Sequence, residues 1–294
     1  MKKEKIIGLT ALLLIYLAGI ALGVLFFYIF KNAGLNILLN IFLCDVIVTA
    51  FVWLWGVILK TASVYDPYWS VQTLIIYVAL LIYYNNWNLG TILFLIPLAI
   101  YTIRLTGNFV YTFDSLKYID WRYRMLREKS GKLFQLVNLF GICMFPTCVV
   151  YLASVPMFIF AESGTFNPLQ IIGLVVMLGA IALELISDYQ MHYFRKHRTS
   201  REQTIDVGLW KYSRHPNYLG EITFWFGIFF VFVVTYYTQW YWVAGSVLNL
   251  IMFLVISIPM EEKHMMAYKA SYIDYKKQTS MLLILPRKQI KSSE

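Results

Sequence analysis

Charge is scarce in this chain. Only 14% of its 294 residues are Asp, Glu, Lys or Arg, against 60% hydrophobic, which excludes an ordinary soluble domain, where apolar residues make up about half. Cysteine is scarcer still: Cys44, Cys143 and Cys148 lie in apolar surroundings with no CxxC or Cys/His spacing, so packing is the expected role and neither a disulfide framework nor a metal site is. A Gly-rich phosphate loop, an internal repeat and a low-complexity linker are also missing, and one integral membrane domain over 1–294 is the economical reading.

Long apolar runs fill the chain instead. Eight reach spanning length, near 6–30, 35–59, 70–85, 89–106, 134–160, 168–187, 221–236 and 240–259. The expected fold is therefore all-α, a polytopic transmembrane helix bundle of eight spans, or seven if the short third run does not cross. The run after MKKEK shows no small-residue cleavage pattern and reads as a retained span.

The net charge of +9 does not point to nucleic acid, because the basic residues sit in short loops between apolar runs. With eight spans and both termini cytoplasmic, 24 of the 25 Lys and Arg fall on one side and only Lys31 on the other. The larger cytoplasmic pieces are then the loops 104–133 and 188–220 and the tail 260–294, with Pro286 expected to begin a disordered basic end. A bacterial inner membrane and the endoplasmic reticulum suit this bias equally.

Polar residues cluster most densely from Glu184 to Glu221. Glu184, Asp188, His192 and Arg195 follow helical spacing and project from one face. GLWKYSRHPNYLGE then sets Lys211, Arg214, His215, Asn217 and Glu221 against the next apolar run. Ionisable groups near a bilayer are costly and normally face a cavity or a partner, which makes this stretch the leading site candidate. Arg195, Lys196 and Arg198 read either as a positive flank on lipid headgroups or as phosphate ligands, since the Arg fork matches phosphate oxygens. Helical spacing in the tail likewise places Glu261, His264, Tyr268, Tyr272 and Tyr275 near one another.

Three further places carry polar groups. Asp45, inside the second run, is either a functional acid or a hydrogen-bond partner for a neighbouring helix. Asp66, in SVYDPYWSV, reads locally as part of a turn that caps a helix within an aromatic belt. Tyr101, Arg104 and Asn108 share a face that could line a pocket, while Arg104 at a helix end could equally snorkel to the interface.

RHPNYLGE and DPYWS, taken with YTIR, DWRYRMLREKSG, LISDYQMHYFRK and EEKHMMAYKASYIDYKK in that order, resemble the steroid 5-alpha-reductase superfamily, in its bacterial-type branch of unknown function. The resemblance implies a membrane-embedded, NADPH-dependent reductase of the carbon–carbon double bond of an enone, acting on a steroid-like or other lipophilic substrate among membrane lipids. It assigns Tyr101 and Asp66 to the carbonyl end of the substrate as catalytic residues. It assigns Glu184, Asp188, Arg195, Asn217, His264 and Tyr268 to the dinucleotide, with Arg104, Tyr212, His215 and Glu221 beside them. Two positions depart from the steroid enzymes, which carry Glu next to Gln where this chain has Asp66 before Pro67, and Asn where it has Glu184. A similar Arg-His-Pro string marks isoprenylcysteine and phospholipid methyltransferases. In that alternative Arg214, His215 and Glu261 or Glu262 would hold S-adenosylmethionine. A non-catalytic lipid-binding protein is the third reading.

Overall fold

The computed structural model describes residues 2–288, apart from the side chain of Lys2. It is helical, with no β-strand among the described residues beyond an isolated bridge between Ser213 and Ser280. Eight helical segments there are long and apolar enough to cross a membrane, the count expected from the runs. The chain is a multi-pass integral membrane protein. It divides into two compact units, Met1–Thr165 and Phe166–Glu294.

Unit 1 opens with α1 (Lys2–Asn32) and α2 (Ile37–Ile58), joined by a turn with Gly34 at positive φ and the Asn36 side chain capping Leu38 N–H at 2.9 Å. The chain then folds back tightly. Gly56 is needed there because a Cβ would meet the Thr61 carbonyl at 2.9 Å. The third crossing, expected near 70–85, spans Ala62–Tyr84, because a short 3-10 turn at Ala62–Val64 precedes α3 (Tyr68–Tyr84). α4 (Leu89–Thr112) starts in a capping box between Asn88 and Thr91. Asn86 and Asn88 also donate to the carbonyls of Ala161 and Gly164, at 2.6–3.2 Å, so the two loops without Lys or Arg are tied together.

The amphipathic α5 (Trp121–Ser130), capped by Asp120, leads through α6 (Phe134–Val137) and a π-helical turn (Asn138–Met144) into α7 (Phe145–Ser163). Sequence periodicity gives no sign of that wide turn.

Unit 2 is built on the antiparallel pair α8 (Gln170–His197) and α9 (Pro216–Val233). Their backbones approach over small residues, the packing that helices use where lipid removes any apolar preference between them. A Cβ on Gly227 would lie 2.6 Å from Met177 Cγ, and one on Gly220 would lie 2.4 Å from Glu184 Cγ and 2.8 Å from the Ala180 carbonyl. The Gly of RHPNYLGE is thus a packing requirement. Gly220→Val is expected to destabilise unit 2 by about 1–3 kcal/mol, the usual cost of overpacking, read as a lower melting temperature in detergent. An unchanged melting temperature would contradict the close approach.

α10 (Val243–Met252) passes through a second π turn (Phe253–Ser257) into α11 (Ile258–Tyr268), and α12 (Ser271–Gln278) follows. The continuous helical face expected from Glu261 to Tyr275 is broken, because Lys269 adopts φ −122°, ψ 96°. Tyr272 and Tyr275 consequently turn inward and are buried, while Tyr268 stays exposed. The basic end expected to be free from Pro286 is held at its start: Arg287 reaches the carbonyls of Lys211 and Asp206, and Lys288 N–H bonds the Gln278 carbonyl. Residues 289–294 of that end lie outside the described residues.

Candidate functional site

In unit 1 the polar residues gather around the start of α3. Asp66 does not cap the helix, whose N-cap is Pro67 with no side-chain hydrogen bond. Its carboxylate instead accepts from the Tyr123 hydroxyl on α5, with Arg122 and Ser63 beside it. Tyr65 and Tyr68, on either side of Asp66–Pro67, are anchored in the interior. Tyr65 Oη shares a hydrogen bond with Thr147 Oγ1 at 2.8 Å, and Thr147 with Thr49 at 3.0 Å. Tyr68 Oη donates to Asp45 Oδ1 at 2.8 Å.

α4 is fixed to the same place, since Thr102 Oγ1 donates to the Ser70 carbonyl at 3.1 Å and Ser70 Oγ to the Pro67 carbonyl at 3.0 Å. Tyr101, next to Thr102, is fully buried, and Arg104 and Asn108 are half-buried further along the helix. Thr102, next to Tyr101, and Pro67, next to Asp66, therefore share one anchor at Ser70. The DWRYRMLR stretch contributes Tyr123, a partner whose role its spacing could not reveal.

In unit 2, Glu184, Asp188, His192 and Arg195 lie on the single helix α8 as expected. Glu184 is buried under Gly220, which brings the first turn of α9 against α8; Asn217, half-buried, and Glu221, buried, lie on that same turn. Glu221 Oε1 accepts from Trp225 Nε1 at 2.7 Å. At the far end of α8, Arg195 and Arg198 come within electrostatic reach of Tyr268 and Lys269, with Glu261 nearby. The His264 and Tyr268 rings lie 5.2 Å apart there.

Lys269 joins that group without having been read from the sequence. It is buried, and its ammonium is pushed down to about 8, first by burial and then by Arg198 and Arg195. Its only sequence signal is its place one residue beyond the end of α11.

The Arg-His-Pro residues have partners of a different kind. Arg214 Nε donates to Glu262 Oε1 at 2.6 Å, and its Nη1 donates to the carbonyls of Lys276 and Thr279 at 2.8 and 2.5 Å. His215 Nε2 lies 3.2 Å from the same Glu262 oxygen, and Lys276 Nζ lies 2.8 Å from the other. The His215 ring stacks on Tyr218 at 5.3 Å. Tyr212 is exposed, and its carbonyl accepts from Leu285 N–H at 3.2 Å. Tyr275 Oη donates to the Trp210 carbonyl at 2.6 Å, so α12 also clamps the segment that leads into α9.

Residues 50–279 match a family model described as "Protein of unknown function (DUF1295)". The chain belongs to this family. No curated protein and no solved structure matches it. The DUF1295 match takes in Asp66, Tyr101, the α8 face, the Arg214–Glu262 cluster and Lys269, whereas α1 and Asp45 precede it.

Proposed function

We propose that this DUF1295 protein is a membrane-embedded, NADPH-dependent reductase of the carbon–carbon double bond of a lipophilic enone. The DUF1295 family is associated with steroid 5-alpha-reductase-like proteins, which accords with the reading. The observation that carries it is the cationic end of α8. Lys269 is buried beside two guanidinium groups, an arrangement that destabilises its charge. A bound phosphate would relieve that crowding and accept from the Arg forks, so these residues fit a phosphorylated dinucleotide.

In this proposal Arg195, Arg198 and Lys269 hold phosphate, while Asp188, Asn217, His264 and Tyr268 take the polar groups of the nucleoside parts. When bound, NADPH supplies a hydride for the β-carbon of the enone. The chain's own part is to stabilise the negative charge that then grows on the substrate oxygen. Tyr101 Oη donates a hydrogen bond to that oxygen. Asp66, oriented by Tyr123 and holding its carboxyl proton, donates a second hydrogen bond to the same oxygen, and the enolate takes a proton from water at its α-carbon. The methyltransferase alternative draws less support, because Arg214, His215 and Glu262 are already engaged with one another and with α12.

The test is a fluorescence titration of the detergent-purified protein with NADPH and with S-adenosylmethionine. NADPH is expected to bind, and the double change Arg195→Ala, Arg198→Ala should weaken binding about tenfold or more. Tight S-adenosylmethionine binding without NADPH binding would overturn the reading.

The pH dependence follows from Lys269. Phosphate favours its protonated form, so affinity for NADPH should fall as pH rises through about 8. Lys269→Arg, whose guanidinium stays charged, should flatten that fall. A wild-type affinity that is level across this range would remove Lys269 from the phosphate site.

A further inference from the structure

A cavity of about 350 Å³ lies among α1, α2 and α3 of unit 1, a volume within the range of small-molecule sites. Neither Asp66 nor Tyr101 lines it. Aromatic pairs from α1 and α3 bound it along the helices: Tyr16 and Tyr68 meet edge to face at 6.1 Å, and Phe27 and Tyr83 at 5.3 Å, with Lys31 Nζ 4.6 Å from the Tyr83 ring centroid. Between them the walls are aliphatic, with Ile20 and Val24 on α1, Ile41 and Val48 on α2, and Ile75 and Ile76 on α3. Val24, Tyr28, Ile75 and Ile82 line the cavity and are also exposed. On a membrane-spanning helix such residues face lipid, so the cavity opens sideways into the bilayer.

Two polar side chains interrupt this apolar lining. Asp45 is 3% exposed; its Oδ1 accepts from Tyr68 Oη at 2.8 Å, while its buried Oδ2 has no hydrogen-bond partner among the described residues. Gln72 is 6% exposed, and its buried Oε1 is likewise without one. An oxygen buried in hydrocarbon and left unsatisfied is costly, and two such oxygens on side chains that line one apolar cavity call for a partner from outside the chain.

We propose that this cavity is a lateral binding site for a membrane-soluble alcohol, whose hydroxyl accepts from a protonated Asp45 carboxyl at Oδ2 and donates to Gln72 Oε1, and whose hydrocarbon part lies along α1 and α3. A hydroxyl both donates and accepts, so with the carboxyl proton on Asp45 Oδ2 one alcohol satisfies both oxygens. A carbonyl or an ether has no proton to give Gln72 Oε1. The site is independent of the proposed reductase chemistry, and Asp45 and α1 precede the segment that defines the family.

The full chain in lipid nanodiscs is to be irradiated with a long-chain alcohol carrying a diazirine and an alkyne, and separately with the methyl ether of that alcohol. The labelled peptides are then identified by mass spectrometry. The alcohol is expected to label α1 and α3 peptides about tenfold more than the ether, the effect of one hydrogen bond to a buried acceptor. Ala79→Trp, which puts an indole into the cavity, should remove labelling by both. Asp45→Asn keeps the size, an acceptor for Tyr68 and a donor at the Oδ2 position, and should keep the preference, whereas Asp45→Leu removes the donor and should lower labelling by both probes. Gln72→Met removes the acceptor for the alcohol's proton and should erase most of the preference, and Gln72→Leu repeats that loss with another shape, so the test survives if one variant does not fold. Equal labelling by alcohol and ether, or a preference unchanged when Gln72 is replaced, would overturn the proposal.

Discussion

Tyr101→Phe is expected to lower enone-dependent oxidation of NADPH by about 10²–10³-fold, the usual effect of removing one donor to a developing oxyanion. NADPH affinity should stay within about twofold, since a twofold change is well under 1 kcal/mol. The size of the first effect rests on what the change removes. Tyr101 is fully buried in unit 1, and Phe keeps its ring, so packing is preserved and only the hydroxyl is lost. The neighbouring Thr102 bond to the Ser70 carbonyl, which sets this turn of α4 against the start of α3, is untouched. A loss of rate at an unchanged melting temperature therefore reports on chemistry rather than on folding. The measurement is single-turnover oxidation of NADPH with a lipophilic enone, alongside an equilibrium titration of the cofactor. Unchanged turnover would take Tyr101 out of the mechanism. Equal losses of turnover and cofactor affinity would assign it to binding instead.

The crossings were legible because each needs a run of apolar residues that no soluble element resembles, and even the short third run completes its length with the turn at Ala62–Val64. The α8 face was legible too, because spacings of four, four and three on one helix survive folding unchanged. Periodicity failed where a break or a distant partner decides the outcome. Nothing in AYKASYIDY marks Lys269 as the residue that leaves the helix, yet that one backbone turn buries Tyr272 and Tyr275 and sets an ammonium beside Arg195 and Arg198. Tyr123 as the partner of Asp66 is 57 residues away, and Tyr68 as the partner of Asp45 is 23 away. Contacts of that kind leave no local trace. The boundary between the two units was equally silent: it falls after Thr165, inside a loop too short to stand out from the other turns between crossings.

Glu262→Leu is expected to destabilise unit 2 by about 3–5 kcal/mol, the cost of stranding a buried charge. Glu262 is the one carboxylate described against Arg214, His215 and Lys276, all within 3.2 Å of its two oxygens. Arg214 is buried, and the remaining described bonds of its guanidinium go to backbone carbonyls of Lys276 and Thr279. These satisfy hydrogens but do not cancel the charge, so without Glu262 the guanidinium sits in the interior uncompensated. Removing both partners is a different experiment. Glu262→Leu combined with Arg214→Met replaces the pair with apolar groups and should recover much of the loss, because desolvation offsets most of what a buried pair gains. Melting in detergent of the wild type, both single variants and the double variant gives the coupling directly. This cycle also bears on function. If Arg214, His215 and Glu262 exist to hold α12 against the start of α9, the single variant melts early and the double variant still binds NADPH. If they instead form a methyl-donor site, Glu262→Leu keeps its melting temperature and loses S-adenosylmethionine binding, which would favour a methyltransferase.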